Sequence, residues 1–436
     1  MRFYQRRLLL GVGFLSSIWL LFRLLQNASV QTMRTATAIW LTEQNMYPCR
    51  FHKLPMLFEH GDNYYYVVWE TSCTSGAPLL EWWYDDASRH SIEPWYRKID
   101  DTHHRYTAIF GPVANISHVH YKVNNYRLST KQYTIVRRGE AELNRVLVIA
   151  DNQNGPTEFR KVLTGIQQYY GASSKPDTIL HVGDAVQNVG SLSNWQRHLF
   201  APMEDRSGLH HTTPTVFVPG NHDHDKRRVS SNRNLYMDMY HGLYDTDELG
   251  KTAVTNGSYH RFFHSLSVGS ARIIVLDAEC ASKEESEFLE RELKSLAFQS
   301  ARFRIVAVHI PPYIEFWDPY GWNKKNDKHW GEHIRLEYDP LFRKHNVDLV
   351  ISGHQHNYQR STVSHSTNSA RLGTITYAIV GGAGGMLDLE RVEDWNMYNV
   401  TYLNHHFVAL DIKDRSLSWT AVSSTGSVID HFAVQR

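Results

Sequence analysis

The sequence predicts an α/β domain over residues 143–436, an all-β domain over residues 47–138 before it, and a membrane segment at the N-terminus. Strand-like and helix-like apolar patterns alternate from about residue 145 onward. Aromatic and β-branched segments with polar turns between them fill the preceding region, and a basic N-terminus leads into an apolar run. With 436 residues, 42% of them apolar, the chain is large enough for two such domains.

The N-terminus has the pattern of a signal-anchor. Three arginines within the first seven residues precede the apolar run LLLGVGFLSSIWLLF, which Arg23 ends. This run fits either an uncleaved type II anchor or the apolar core of a cleaved signal peptide. We expect a cytosolic tail and anchor in residues 1–27 and a stem in residues 28–46, with a secreted protein as the alternative. Basic flanks stay cytosolic, so the rest of the chain would lie in the lumen or outside the cell.

Two further features agree with the secretory pathway. With three cysteines the chain is not a disulfide scaffold, and we expect Cys49 to pair with Cys73 while Cys280 stays free. Tripeptides that can accept N-linked glycans begin at Asn27, Asn115, Asn256 and Asn399.

The region over residues 47–138 is predicted to be a β-sandwich. Segments such as YYYVVWE and QYTIVRRG are rich in aromatic and β-branched residues. They recur at spacings of roughly 10–20 residues with polar turns between them. A short linker over residues 139–144 separates this region from the next.

From about residue 145 the pattern changes to alternating strands and helices. Pro156 stands at the start of the helical segment PTEFRKVLTGIQQYY. LSNWQRHLFAPM and KEESEFLERELKSLAF are also helical in pattern, and each lies between apolar strand-like runs. After His356 the pattern returns to strands, as TITYAIVGG, HHFVALDI, SLSWTAV and VIDHFAV.

Polar residues gather directly after strand-like segments at five places. Loops at the carboxyl ends of strands are where open α/β folds collect ligands and catalytic groups. One Asp or His at a strand end is usually a cap or a turn residue, but five such motifs at helix-sized intervals are hard to explain in that way. Their oxygen and nitrogen donors suit two adjacent divalent metal ions. The motifs are Asp151-Asn152-Gln153, Gly183-Asp184, Gly220-Asn221-His222-Asp223, His309 and Gly353-His354-Gln355-His356.

The series resembles the calcineurin-like metallophosphoesterases, and GHQHNYQRS with YAIVGGAGG is similar to the purple acid phosphatase branch of that superfamily. The resemblance covers about residues 143–436 and implies an αββα sandwich, whose second sheet the strands after His356 would complete. A looser resemblance makes residues 47–138 a fibronectin-III-like domain. The implied ligands are Asp151, Asp184 and His356 for a first metal position, and Asp184, Asn221, His309 and His354 for a second.

Two residues depart from the family pattern. Purple acid phosphatases have a tyrosine that binds ferric iron three residues after the shared Asp, whereas this chain has Gln187. Many relatives have a histidine two residues after the first Asp, where this chain has Gln153. Its amide oxygen suits a hard divalent ion, and an orienting hydrogen bond without coordination is the alternative. We therefore expect two divalent ions, such as Mn, Fe(II), Mg or Zn.

The chemistry implied is hydrolysis of phosphate esters. Two such ions activate water and clamp the attacking and leaving oxygens of an in-line displacement. By resemblance, His222 stabilises the transition state or protonates the leaving group, and Asp223 would fix its tautomer. His224, Tyr313 and Arg360 are weaker candidates for substrate contacts, with packing or surface roles equally open. Segments 224–258 and 314–335 have the texture of specificity insertions.

The predicted function is that of a lumenal or extracellular phosphomonoesterase acting on a phosphorylated small molecule, glycan or protein. A phosphodiesterase or pyrophosphatase would use the same ligands, and a membrane-tethered binding protein without activity is a further alternative. The ligand set is retained, which argues against the last. A net charge near +1, with no sustained basic face, gives no support to nucleic-acid binding.

Overall fold

The fold is described from a computed structural model. It covers residues 49–59, 64–74, 76–85, 88–113, 117–125, 128–139, 141–171, 174–223, 263–278, 282–317, 331–366 and 372–436. The predicted anchor and stem lie outside these ranges, as do Cys280, the insertion 224–258 and most of the insertion 314–335. Among the helices inside them, none has the length and hydropathy needed to cross a membrane.

The N-terminal region consists of antiparallel strands in two sheets. One sheet has the order β1-β2-β6-β5; in the other β4, β3 and β7 are neighbours, with β8 and β9 both paired to β7. The predicted disulfide Cys49–Cys73 is confirmed and joins the residues before β1 to those after β2. The strands are β1 (Phe51–Glu59), β2 (Tyr65–Thr71), β3 (Pro78–Tyr84), β4 (His90–Ile92), β5 (Trp95–Asp100), β6 (His103–Phe110), β7 (Ser117–Asn125), β8 (Leu128–Ser129) and β9 (Tyr133–Arg137).

The two sheets face each other through a shared apolar core. Trp69 and Val67 of β2 pack with Trp82 of β3 and Tyr121 of β7, all of them buried. Alternate residues of β2 point to the other face, as strand geometry requires, where Tyr66 packs against the α/β region that follows. The predicted sheet-rich region is confirmed, and its fibronectin-III-like character stays a prediction.

Strands and helices alternate from Asn144 onward. The strands are β10 (Asn144–Ile149), β11 (Thr178–His181), β12 (Thr215–Phe217), β13 (His264–Val268), β14 (Ala271–Leu276), β15 (Phe303–Val308), β16 (Leu349–Ser352), β17 (Tyr358–Ser366), β18 (Leu372–Val380), β19 (Val400–Tyr402), β20 (His406–Lys413), β21 (Ser416–Ser423) and β22 (Val428–Gln435). The helices are α1 (Pro156–Tyr170), α2 (residues 192–206), α3 (Lys283–Leu293), α4 (Leu296–Ser300) and α5 (residues 334–344).

Local sequence signals account for the helix ends. α1 begins at Pro156, buries Phe159, Val162, Leu163 and Ile166 on one face, and ends before Gly171 at φ 69°. Its bounds are those of the predicted segment. The segment predicted to continue to Phe298 is instead two helices, because Ser295 accepts a hydrogen bond from the Phe298 amide and starts α4. α2 contains a π-helical turn, Trp195–Phe200.

The α/β region from Asn144 onward has four layers. β22-β21-β20-β10-β11-β12 form one sheet and β13-β14-β15-β16-β18-β17-β19 the other. Their inner faces share a core that includes Val148, Leu180 and Ile305. Helix α1 covers the outer face of the first sheet, and α3 and α5 cover the outer face of the second. The predicted α/β sandwich is therefore confirmed.

Two features of the sheets differ from expectation. β20, β21 and β22 were expected in the second sheet, but β20 pairs antiparallel with β10 and brings all three into the first. The first sheet also continues into the N-terminal region, because Phe58 of β1 pairs in parallel with Thr215 of β12. Both arrangements depend on pairings between strands that are distant in sequence.

Candidate metal centre

Five parallel strands bring the predicted motifs to one place. β10, β11 and β12 run parallel to one another in the first sheet, and β15 and β16 run parallel to each other in the second. Their carboxyl ends therefore lie at one edge of the sandwich, and each predicted motif follows one of these ends.

Three of the predicted ligands have left-handed backbone conformations. Asp151 has φ 61°, Asp184 has φ 53° and His354 has φ 70°. Such values are uncommon for residues other than glycine and cost of order 1–3 kcal/mol each, so they persist where the surroundings impose them. Here the tight turns point side chains from separate loops into one volume.

Asp151, Gln153 and His356 form one group of donors. Nε2 of His356 lies 3.6 Å from Oδ1 of Asp151 and 3.0 Å from Nε2 of Gln153. Nε2 of Gln153 also lies 3.1 Å from Oδ2 of Asp184. These residues correspond to the first metal position.

Asn221, His309 and His354 form the other group. Oδ1 of Asn221 lies 3.2 Å from Nε2 of His309 and 2.9 Å from Nδ1 of His354. Asp184 stands between the two groups, because its Oδ2 is also 3.4 Å from Nε2 of His309. One ligand atom each of Asp184, His309 and His354 lie within 4.8 Å of one another. The chain thus brings together all seven predicted ligands.

The donors are arranged as a metal centre requires. Oδ1 of Asp151 and Oε1 of Gln153 are buried and have no hydrogen-bond partner among the described residues. Nδ1 of His309 donates to the carbonyl oxygen of Val182 at 2.7 Å, and Nδ1 of His356 to that of Met386 at 2.6 Å. These bonds leave both Nε2 atoms facing the centre, the arrangement typical of metal-bound histidines. The residues present therefore fit two metal ions.

The protonation pattern also indicates a site built for cations. Burial alone would lower the pKa of His309, but the carboxylates of Asp184 and Asp151 raise it to about 10. Burial raises the pKa of Asp151 to about 7. Burial has the same tendency at Asp184, but His309 outweighs it and keeps the pKa of Asp184 below its ordinary value. The buried carboxylates therefore need nearby positive charge, which bound metal ions would supply.

Glycines allow the close packing around the carboxylates. A Cβ atom on Gly220 would lie 2.2 Å from Oδ1 of Asp184, and one on Gly353 would lie 2.4 Å from Oδ2 of Asp151. Both contacts are too short for any side chain. These glycines let the neighbouring loops approach the two carboxylates directly.

Asp223 has a different position from the one predicted. Its Oδ2 accepts hydrogen bonds from the amides of Asp184 at 2.8 Å and Gly220 at 2.9 Å, and its Oδ1 accepts from the amide of Ala185 at 3.2 Å. Burial, reinforced by the charge of Asp184, raises the pKa of Asp223 to about 8. Asp223 therefore fixes the loop that carries Asp184, and it does not orient His222 as expected.

Gln187 takes the orienting position beside His222. Nδ1 of His222 donates to the backbone carbonyl oxygen of Gln187 at 3.1 Å and lies 3.3 Å from its side-chain Nε2. The His222 amide donates to Oδ1 of Asp184 at 2.8 Å. The ring is thus attached to the metal centre through the backbone of His222, and its Nε2 takes no part in these contacts.

His198 supports two of the loops and was not identified from sequence. Its Nδ1 accepts from the amides of Asn154 and Gln187, at 3.3 Å each. Its carbonyl oxygen accepts from the side chain of Asn152 at 2.9 Å. His198 lies in the π-helical turn of α2, and such turns often occur at functional sites. No local pattern distinguished it from the other histidines of the chain.

Two of the predicted substrate contacts have partners within the fold. Tyr313 donates to Oδ2 of Asp339 at 3.1 Å and packs edge-on against Tyr377. Arg360 forms a two-bond ion pair with Asp430, at 2.5 Å and 3.0 Å. These partners agree with the alternative packing roles, and contact of either residue with substrate stays a prediction. His224 lies outside the described residues.

One residue of the insertion 314–335 does reach the centre. The ring of Trp317 packs edge-on against His354, with 4.7 Å between ring centroids. It therefore forms a wall beside the second metal position. Residues 318–330 of this insertion lie outside the described ranges.

Known proteins resemble this chain in sequence. The calcineurin-like phosphoesterase family matches residues 144–358. The chain is 26% identical over 350 residues to "probable inactive purple acid phosphatase 24" of Arabidopsis thaliana, covering 73% of this chain and 54% of that one. It is 24% identical over 349 residues to "Fe(3+)-Zn(2+) purple acid phosphatase 12" of the same plant, covering 74% and 66%. The chain spans about half the length of the first of these relatives.

Solved structures show the same fold. The purple acid phosphatase PPD1 from yellow lupin seeds has a TM-score of 0.69 at 18% identity, covering 88% of this chain and 74% of that one. The structure of PhoD has a TM-score of 0.56 at 11% identity, covering 88% and 91%. At these identities the likeness concerns the fold alone.

Proposed function

We propose that this chain, a calcineurin-like phosphoesterase of the purple acid phosphatase-like branch, hydrolyses phosphate monoesters at a centre for two divalent metal ions. The observation that carries the proposal is the convergence of two donor groups on the shared carboxylate of Asp184. In this scheme Asp151, Gln153 and His356 hold one ion, and Asn221, His309 and His354 hold the other. Two ions bound there would supply Lewis-acid activation of the phosphoryl group and of water.

The protein's own groups then have distinct tasks. Asp223 and His198 hold the loops that carry the ligands. His222, oriented by the carbonyl of Gln187, presents Nε2 on the more open side of the centre and would donate a proton to the leaving oxygen. Trp317 shields one side of the site from water. The hydrolytic step needs the leaving oxygen to take up a proton, and His222 is the described group placed to provide it.

The compartment is proposed on two observations. The disulfide Cys49–Cys73 favours an oxidising environment. The basic N-terminus followed by an apolar run favours a type II anchor with a lumenal or extracellular catalytic domain, or a secreted protein. The substrate would then be a phosphorylated small molecule, glycan or protein of that compartment.

A substrate panel tests the proposal. The purified chain would be assayed with an aryl phosphate monoester, the matching diester and pyrophosphate, each with Mn²⁺, Zn²⁺, Mg²⁺ or Fe²⁺ added. We expect the monoester to have the highest kcat/KM. A preference for the diester or for pyrophosphate would keep the metal centre and change the substrate class. Absence of hydrolysis with both metal positions loaded would overturn the proposal and favour a binding role.

The absence of a tyrosine at residue 187 predicts the metal chemistry. A ferric centre of the purple type needs a phenolate there, so we expect a colourless protein without charge-transfer absorption in the visible region. The first metal position has one amide in place of a histidine, so chelators should remove its ion readily. Activity should return on adding Mn²⁺ or a similar ion. Visible spectra and metal analysis before and after chelation check this, and a purple protein with tightly held Fe(III) would contradict it.

A further inference from the structure

A second group of side chains that can bind a metal ion lies at the opposite end of the strands of the first sheet. Glu204 stands near the end of α2, and His210 and His211 form the short turn Leu209–His211, which leads into the start of β12. One ligand atom from each of the three lies within 4.8 Å of the others. The metal centre is at the carboxyl ends of the strands, so these residues take no part in it.

The three side chains meet at one point. Nε2 of His210 lies 3.2 Å from Oε2 of Glu204, and Nε2 of His211 lies 3.0 Å from the same oxygen. Around a tetrahedral zinc ion, with ligands at about 2.0–2.1 Å, neighbouring ligand atoms are about 3.3 Å apart. The observed distances are close to that spacing, so a bound ion would need only small side-chain movements.

The hydrogen bonds of His211 require a cation beside Glu204. Nδ1 of His211 donates to the carbonyl oxygen of Pro55 at 2.6 Å, and a carbonyl can only accept. In a neutral ring Nε2 then carries a lone pair, which faces a carboxylate oxygen 3.0 Å away. Two electron-rich atoms at this distance need a proton or a metal ion between them.

One divalent ion could engage all three side chains at once. His210 and His211 are 2% and 4% exposed, so both rings lie inside the protein. Nδ1 of His210 has no hydrogen-bond partner among the described residues, so Nε2 makes the polar contact of this ring. A divalent ion would bind both rings and the carboxylate, whereas a proton on His211 would serve only the contact between His211 and Glu204. The Glu204 side chain is 39% exposed, so water can reach the site as a fourth ligand.

We propose that Glu204, His210 and His211 form a third metal site, which binds one Zn²⁺ or a similar borderline divalent ion. Its role is structural. The His211 ring is bonded to Pro55 of β1, and the His211 carbonyl oxygen accepts from the hydroxyl of Tyr121 of β7 at 2.6 Å. An ion held here would fix the end of α2 to the junction between the N-terminal sheets and the catalytic region.

Metal counting with matched variants tests this site. The full chain, Glu204→Gln and His210→Asn would be equilibrated with Zn²⁺ and freed of excess ion, and bound zinc would be measured by mass spectrometry. Glu158→Gln is the control, because Glu158 is a partly exposed glutamate on α1 that pairs with Lys161. We expect the wild type and the control to hold one equivalent more than either test variant. Repeating the comparison in an Asp184→Asn background separates this ion from those of the phosphatase centre.

A second readout follows stability. Zn²⁺ should raise the thermal midpoint of the Asp184→Asn chain by several degrees, and Glu204→Gln in that background should abolish the rise. Anomalous scattering at the zinc edge should place an ion between the three side chains. Equal zinc content and equal thermal response in wild type and both test variants would overturn the proposal. They would show that the three side chains bind no metal ion and form only an imidazolium–carboxylate pair.

Discussion

Asp184→Asn is expected to lower phosphate-ester hydrolysis by several orders of magnitude while the fold is retained. Asp184 is the carboxylate shared by the two donor groups, with Oδ2 3.1 Å from Nε2 of Gln153 and 3.4 Å from Nε2 of His309. The asparagine side chain has nearly the same shape as aspartate but carries no charge, so it cannot hold two cations close together. The loss should appear in kcat with every substrate, because the whole centre is affected.

The measurement needs both activity and metal content. Steady-state rates would be determined beside metal analysis, with circular dichroism and thermal unfolding to show that the fold persists. Asp205→Asn is a suitable control, because Asp205 forms an exposed ion pair with Arg160 at 2.7 Å on the outer side of α2. Near wild-type activity of Asp184→Asn with two ions bound would remove Asp184 from the shared position.

Local signals explain what could be predicted of the fold. α1 follows from Pro156, an apolar face of period 3.6 and the following Gly171, all within one short segment. The partners of β20 and β1 depend on pairings with β10 and β12, which lie far along the chain. Strand patterns show which face is buried but not which neighbour a strand takes. The sequence alone therefore could not predict that β20, β21 and β22 belong to the first sheet.

The same distinction applies to the candidate site. The seven proposed ligands each follow a strand, so chain order and strand ends were enough to group them. Asp223 was misread because its partners, the amides of Asp184 and Ala185, belong to another loop. The ion pair of Arg360 could not be anticipated because Asp430 lies in the last strand. A charged side chain next to a motif takes its role from its partner, and the partner is visible only in the fold.

The third metal site shows a further limit. His210-His211 is one of several adjacent histidine pairs, and His405-His406 has the same appearance in the sequence. In the structure Nδ1 of His406 contacts the carbonyl oxygen of Asn404, whereas the His210-His211 pair meets the carboxylate of Glu204. The distinguishing residue is in the helix before the turn. A search of the sequence for an acidic residue near a histidine pair would have found Glu204 together with many equivalent candidates.

His222→Ala is expected to slow esters with poor leaving groups by about 10²–10⁴-fold, the usual contribution of a general acid, and to slow activated aryl esters much less. His222 is attached to the centre by its amide, which donates to Asp184, and Nδ1 is occupied by the carbonyl of Gln187. In the proposed mechanism Nε2 is therefore the nitrogen from which a proton would reach the leaving oxygen. A good leaving group departs without that proton, so its rate depends little on the ring.

The test is a plot of log kcat/KM against the pKa of the leaving group for wild type and variant, in which the variant should have the steeper slope. Gln187→Ala is the matched control. It removes the side-chain Nε2 that lies 3.3 Å from Nδ1 of His222, and it keeps the backbone carbonyl that orients the ring. Its slope should stay close to that of the wild type. Equal slowing of all esters by His222→Ala would instead assign His222 to charge stabilisation or to positioning of the metal ligands. The hydrogen bond from the backbone amide of residue 222 to Asp184 does not depend on the side chain, so the variant should keep its metal ions. Metal analysis of the variant checks this before that conclusion is drawn.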